Sequence, residues 1–365
     1  MTELHVVVPA SVADAGRPSG GNVYDRRVCE ELAGLGWTVH EHLVPGDWPQ
    51  PDHVALAGLA ATFSELPDDA SVLVDGLLAS GADDVVVPAA ARLRLVVLLH
   101  MPLGERDDDG GLDEAGARER RVLAAASGVV VTSEWARRRL AHLYRLEAGR
   151  VHVAAPGVDT GDLAGGSRPG GVLLCVAAVV PAKGHDLLLA ALARVADLSW
   201  RCICVGALDL DPAHVGSLQG QAERSSIGER VHFAGVMGRD ELARTFVGAD
   251  LLVLPSCAET YGMVVAEALA HALPVVATDV GGVREALGDD HAGPAGILVP
   301  PGDEAALAGI LRSWLEDPRL RTRLRAGARE RRLTLAGWDT TARSIAAALT
   351  HEPHRDGIRL PRVGP

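Results

Sequence analysis

The feature that most constrains this chain is a set of short apolar runs without polar alternation, such as LVVLL at 95–99, GVVV at 128–131, LLCV at 173–176 and LLVL at 251–254. A strand with one wet face alternates apolar and polar residues; unbroken Val/Leu runs are buried on both faces, the condition of a parallel sheet covered by helices. Strand candidates fall at 4–9, 37–43, 71–75, 93–100, 128–132 and 151–155 in the first half. The second half has them at 172–179, 201–205, 230–233, 250–255, 274–278 and 296–299. Helical stretches lie between them, among them 22–35, 112–126, 186–196, 240–247, 263–273, 304–316 and 317–332. Strand–helix alternation of this kind predicts α/β architecture: two doubly wound parallel-sheet, Rossmann-like domains facing across a cleft.

The division is legible too. Residues 160–170, TGDLAGGSRPG, hold four glycines and a proline and break the pattern. The expected organisation is a first domain over 1–160, a linker at 161–170 about which the domains close, and a second domain over 171–340. An amphipathic helix at 341–350 could return to the first domain, and the polar tail 351–365 is expected to be loosely held.

Composition excludes several classes. A net charge of −13 gives no basic field for nucleic acid. The five cysteines have neither an even count nor paired spacing, and no Cys/His cluster has zinc spacing. No segment approaches the roughly 20 apolar residues of a membrane span, and MTELHVVVPAS enters a strand without a leader-like flank. A cytoplasmic protein with reduced thiols is expected. The basic helix from Trp135 to Tyr144 would make at most peripheral membrane contact; the plainer reading packs Leu140, Leu143 and Tyr144 on the sheet.

The chemistry concentrates at strand ends. In GMVVAEALAHALPVV, from Gly262 to Val276, Glu267 is the lone carboxylate in an apolar run, costly to bury without hydrogen-bond donors. Glu259 stands eight residues earlier, and Gly262 would let an anion approach the helix N-terminus. Two acids flanking a phosphate-ready helix end suit a nucleotide sugar, with hydroxyls on both sides of its phosphates. Lys183, in Pro181-Ala-Lys183-Gly184, is either a diphosphate counter-charge or a solvated loop lysine. His100, ending a buried strand, is either a cleft residue or a satisfied core-edge histidine. Ser19-Gly20-Gly21-Asn22 opens a helix with Asn22 as N-cap or with room for a ligand, and its spacing is not the dinucleotide G-x-G-x-x-G. Gly281-Gly282 likewise would admit a ligand, with Arg284 and Glu285 capping the next helix. Asp107-Asp108-Asp109 reads as a solvated loop, and no metal site is expected.

Together these motifs resemble the retaining glycosyltransferases of the GT-B fold, the large family that includes sucrose synthase and mycobacterial mannosyltransferases. The resemblance runs from about Leu4 to Leu349. It is carried by Glu259-Thr-Tyr-Gly-Met-Val-Val-Ala-Glu267, Val275-Val-Ala-Thr-Asp-Val-Gly-Gly-Val-Arg-Glu285, Val153-Ala-Ala-Pro-Gly-Val-Asp159, Val131-Thr-Ser-Glu134 and Pro181-Ala-Lys-Gly184, in the family's order. It implies a retaining, metal-independent transfer of a hexose from a nucleotide-diphosphate sugar to an acceptor the sequence does not identify, with no cofactor. Glu259, His100 and Lys183 would be catalytic. Gly20, Gly21, Lys183, Val236, Glu259, Tyr261, Gly262, Met263, Val264 and Glu267 would bind the donor, Glu267 at the ribose and the Gly235-Val236-Met237 loop at the base. The family's arginine five residues before the lysine is here Ala178, which keeps a non-catalytic nucleotide or sugar sensor as an alternative; a nucleotide-sugar epimerase fits the glutamate pair less well.

Overall fold

The computed structural model describes residues 2–14, 19–104, 111–288 and 293–351. The triple acid 107–109 and the tail beyond His351 lie outside the described residues. Two six-stranded sheets form, with every neighbouring pair parallel. The first contains β1 (Thr2–Pro9), β2 (Trp37–Val44), β3 (Ser71–Asp75), β4 (Arg94–Leu99), β5 (Gly128–Val131) and β6 (Val151–Val153), in the order β2-β1-β3-β4-β5-β6. The second contains β7 (Val172–Val176), β8 (Arg201–Val205), β9 (Val231–Gly235), β10 (Leu251–Leu254), β11 (Val275–Thr278) and β12 (Gly296–Val299), in the order β12-β11-β10-β7-β8-β9. The strand order reverses between β1 and β3 in one sheet and between β7 and β10 in the other. In open α/β sheets a ligand crevice opens at such points, beyond the carboxyl ends of the strands. His100 follows β4, Lys183 follows β7 and Glu259 follows β10, so all three reach those edges.

Helices cover both faces of each sheet. Four of them, His53–Glu65, Gly76–Gly81, Asp83–Ala90 and Pro212–Arg224, are not marked by the sequence pattern. His53–Glu65 is rich in Ala and Leu, which blurs its periodicity; its start is fixed by Asp52, accepting from Ala55 N at 2.8 Å. The helix Glu134–Tyr144 buries Leu140, Leu143 and Tyr144, the packing face read from its sequence.

The C-terminal helix Trp338–Thr350 lies on the first sheet. Its Trp338, Ala342 and Ile345 share an apolar cluster with Leu4, Val6, Tyr24 and Leu32. Thr341 Oγ1 donates to Ala155 O and Tyr24 Oη to Ala154 O, each at 2.8 Å. The glycine-rich stretch, by contrast, is fastened to the second domain. Ala164 N donates to His271 O at 2.8 Å, Ser167 Oγ to Asp250 Oδ2 at 2.6 Å, and Trp314 Nε1 to Gly170 O at 2.7 Å. The outgoing crossing therefore falls just before 161–170, beside the returning strand of chain, where Val158 N donates to Ala336 O at 3.0 Å.

Candidate active site

The wall contributed by the second domain begins at Gly184, whose φ of 67° and whose approach to the Pro255 carbonyl leave no room for a side chain. That turn sets Lys183 beside the loop after β10. Lys183 Nζ donates to Glu259 Oε1 at 2.6 Å, and Ser256 Oγ donates to the same oxygen at 2.8 Å. Glu259 is 14% exposed, so its carboxylate reaches the cleft from a largely dry site. Beneath the loop, Gly281 and Gly282 lie directly against the carbonyls of Glu259 and Thr260, and Gly282 N donates to Glu259 O at 3.2 Å. The space expected there for a ligand belongs instead to this loop's own backbone.

The helix Met263–Ala270 starts at Gly262, φ 86°, with no side-chain cap. Its first N–H groups and the positive end of its dipole are open to an anion. One turn in, Glu267 carries a carboxyl with no hydrogen-bond or ion-pair partner among the described residues. Burial, aided by the charge of Asp159, pushes it up to about 7. Asp159 itself bridges the domains, pairing with Arg27 of the first and with Arg239 Nη2 of the second at 2.6 Å. Of the other expected donor residues, Val236 is exposed and Met263 and Val264 are half-buried. Tyr261 turns its ring into the apolar cluster of the second domain, with Val265 and Val283.

The opposite wall is built around His100. Its Nε2 lies 2.8 Å from Asp25 Oδ1 and 3.7 Å from Asp75 Oδ2, and its ring meets Tyr24 edge-on at 5.2 Å. Burial alone would lower its pKa, but the charge and hydrogen bond of Asp25, with the charge of Asp75, raise it to about 9. Asp75 is pushed up to about 7 by burial and by Asp25. Asp25, Asp75 and His100 are the one trio of candidate metal ligands among the described residues with donor atoms mutually within 4.8 Å. Their atoms are engaged already: Asp25 with the imidazole, and Asp75 as the cap of Gly76–Gly81, accepting from Leu77 N at 2.7 Å. The chain leaving His100 is anchored by buried Glu119, which accepts from Ser80 Oγ, Leu103 N and the Tyr144 hydroxyl.

The cap of helix Gly20–Gly34 is Ser19, accepting from Asn22 N at 3.1 Å, not Asn22. Gly20 and Gly21 are therefore helical. A Cβ at Gly21 would stand 3.3 Å from the His100 ring, and one at Gly20 would stand 3.3 Å from Met263 Sδ across the cleft.

Two further residues join the walls. Glu285 accepts from Glu134 N at 2.8 Å and Trp135 N at 2.7 Å, and Ser133 Oγ donates to Thr260 O at 2.6 Å. In the sequence Glu285 has only its place at the start of a helix, with no local signal of a cross-domain partner.

Two facing Rossmann-like sheets with a charged cleft between them define the class as GT-B. The Glycosyltransferase Family 4 model matches residues 18–162, and the Glycosyl transferases group 1 model matches residues 168–331. A D-inositol 3-phosphate glycosyltransferase of Thermomonospora curvata is 30% identical over 94% of this chain and 93% of its own length. One from Kineococcus radiotolerans is 36% identical over 61% of this chain, a match spanning only 57% of that relative. The sucrose-phosphate synthase structure from Thermosynechococcus elongatus superposes with a TM-score of 0.76 at 21% identity, covering 95% of this chain and 98% of that one. The chain belongs to this glycosyltransferase family.

Proposed function

We propose that the protein transfers a hexose from a nucleotide-diphosphate sugar with retention of anomeric configuration and without a metal ion. The observation that carries this reading is the uncapped start of helix Met263–Ala270, set between the Lys183–Glu259 pair and the unpartnered carboxyl of Glu267. The diphosphate would take the Met263 and Val264 N–H groups and the Lys183 ammonium, drawing the latter from Glu259. Glu267 would accept from the two ribose hydroxyls, and Glu259 from hydroxyls of the sugar. His100, held charged by Asp25, would donate to the sugar from the opposite wall.

In the transfer, the bond between the anomeric carbon and the diphosphate oxygen breaks and a bond to the acceptor hydroxyl forms on the same face. The acceptor proton passes to the departing diphosphate, whose growing charge Lys183 and the helix end stabilise. With Ala178 in place of the family's arginine, this cationic work falls on Lys183 and the backbone. Among the described residues no helix is long and apolar enough to cross a membrane. Four of the five free cysteines are buried, which suits a reducing cytoplasm.

The test has two stages. Thermal unfolding with UDP, GDP, ADP or TDP in a chelator identifies the base; a nucleotide at 100 times its dissociation constant adds about 2.7 kcal/mol. Donors carrying that nucleotide are then incubated with candidate acceptors, beginning with D-inositol 3-phosphate because relatives bear that name, and the product anomer is read by NMR. An inverted anomer overturns retention, and loss of turnover in chelator overturns metal independence. A nucleotide that binds while its sugar is neither transferred nor hydrolysed makes the protein a sensor.

A further inference from the structure

The helix Glu134–Tyr144 belongs to the first domain, yet its start is completed by the second. The first N–H groups of a helix have no partner within it. Ser133, its N-cap, accepts from Ala136 N at 3.0 Å. The N–H groups of Glu134 and Trp135 both go to the carboxylate of Glu285, one to each oxygen. A carboxylate at a helix N-terminus also meets the positive end of the dipole, and Arg138 adds a cation 3.6 Å from the same group.

This clasp acts on the loop that carries Glu259. The Ser133 hydroxyl holds the Thr260 carbonyl from the first domain, while from below Gly282 N donates to the Glu259 carbonyl and the two glycines pack closely against the Glu259 and Thr260 carbonyls. Glu285 follows Gly282 by three residues, on the short helix Val283–Leu287. Loop, supporting glycines and clasp thus form one unit, closed on its upper side by the first domain.

We propose that Ser133 and Glu285 are positioning residues that set the Glu259 carboxylate by locking its loop to the opposite domain. The function of that placement rests on the glycosyltransfer reading. Neither residue touches the reacting atoms. Opening the cleft withdraws Ser133 from Thr260 and frees the loop, so Glu259 takes its working position only in the closed form.

Cys257 gives a readout that needs no activity. It lies in the same loop and is the exposed one of the five cysteines. In Glu285→Ala, thiol labelling of Cys257 and hydrogen exchange at Glu134 and Trp135 should both accelerate. The transfer kcat should fall about tenfold, the scale of one lost hydrogen bond to a charged group, with donor KM nearly unchanged. Ser133→Ala should accelerate labelling in the same direction. Glu285→Gln should recover part of the loss, since its amide oxygen still accepts one N–H while its NH2 group opposes the other. Arg284→Ala, an exposed side chain paired with Asp279, should change none of these.

Wild-type labelling and exchange in Glu285→Ala would overturn the clasp. Faster labelling with unaltered kcat, or a raised KM alone, would overturn the positioning role. If the wild type transfers no sugar from any donor, the glycosyltransfer reading fails by itself, and the labelling and exchange rates still decide whether the clasp holds the loop.

Discussion

The two walls of the cleft treat their charges in opposite ways. On the first-domain side, Asp25, Asp75 and His100 satisfy one another and the backbone, and the imidazole is charged before any ligand arrives. On the second-domain side, Glu267 has no hydrogen-bond or ion-pair partner among the described residues, and the helix start at Gly262 has no side-chain cap. A closed network fixes a direction for its one projecting group; open valences supply affinity, because a ligand then removes an existing deficit rather than displacing a protein partner. The first wall is preorganised to orient, and the second is left incomplete to bind.

The contrast is broken most severely from the closed side. Asp25→Ala removes the partner of a buried ion pair and should destabilise the fold by about 3 kcal/mol in urea unfolding at pH 6, the low end of such losses because His100 is 20% exposed. The pH trend gives a second check. His100 has a folded pKa of about 9 against a reference of 6.5, so the pair's stabilisation is complete below pH 6.5 and is lost as pH rises through 9. The variant should lose that slope.

On the open side, Lys183→Ala should leave the fold intact and lower kcat by about 10²–10³, the usual consequence of deleting a donor to developing negative charge. Single-turnover transfer checks it, and a rate within threefold of wild type would remove Lys183 from the reaction. The smallest effect sharpens the comparison. Glu267 holds its proton up to about pH 7, while donor hydroxyls favour its ionised form. Nucleotide affinity should therefore fall as pH drops below 7, by at most about tenfold per unit. In Glu267→Gln binding should be weaker and flat over that range, and calorimetry in buffers of different ionisation enthalpy should show no proton release.

Much of the open wall could be read from the chain because its signals are local. Glu267 stands out as an acid in an apolar helix, and Lys183-Gly184 and Gly262 sit in strand-to-helix turns whose geometry follows from sequence. The closed wall was less legible. Asp25 did leave a trace, a carboxylate on the stripe formed by Tyr24, Val28, Cys29 and Leu32, all buried. Asp75 ends the run SVLVD as His100 ends its own, yet a single strand-end acid also serves as a helix cap, and Asp75 does both. Glu285 and Ser133 could not be found this way. Their partners lie 127 to 151 residues distant, and each has an adequate local role as a helix residue or an N-cap. The direction of the Tyr261 ring, packed with Val265 and Val283, is not legible for a related reason: a motif places a residue, while packing decides which way its side chain turns.

The return of the helix Trp338–Thr350 to the first sheet separates the order of the sequence from the order of the bodies. A breakpoint near residue 160 would not exchange one domain for another, because everything downstream includes the piece that covers Leu4, Tyr24 and Leu32. A chimaera built to import another donor preference would place a foreign helix on the native first sheet. Recombination that respects the physical units needs two junctions, one before residue 161 and one between Arg332 and Trp338, so that 338–350 travels with the wall it covers.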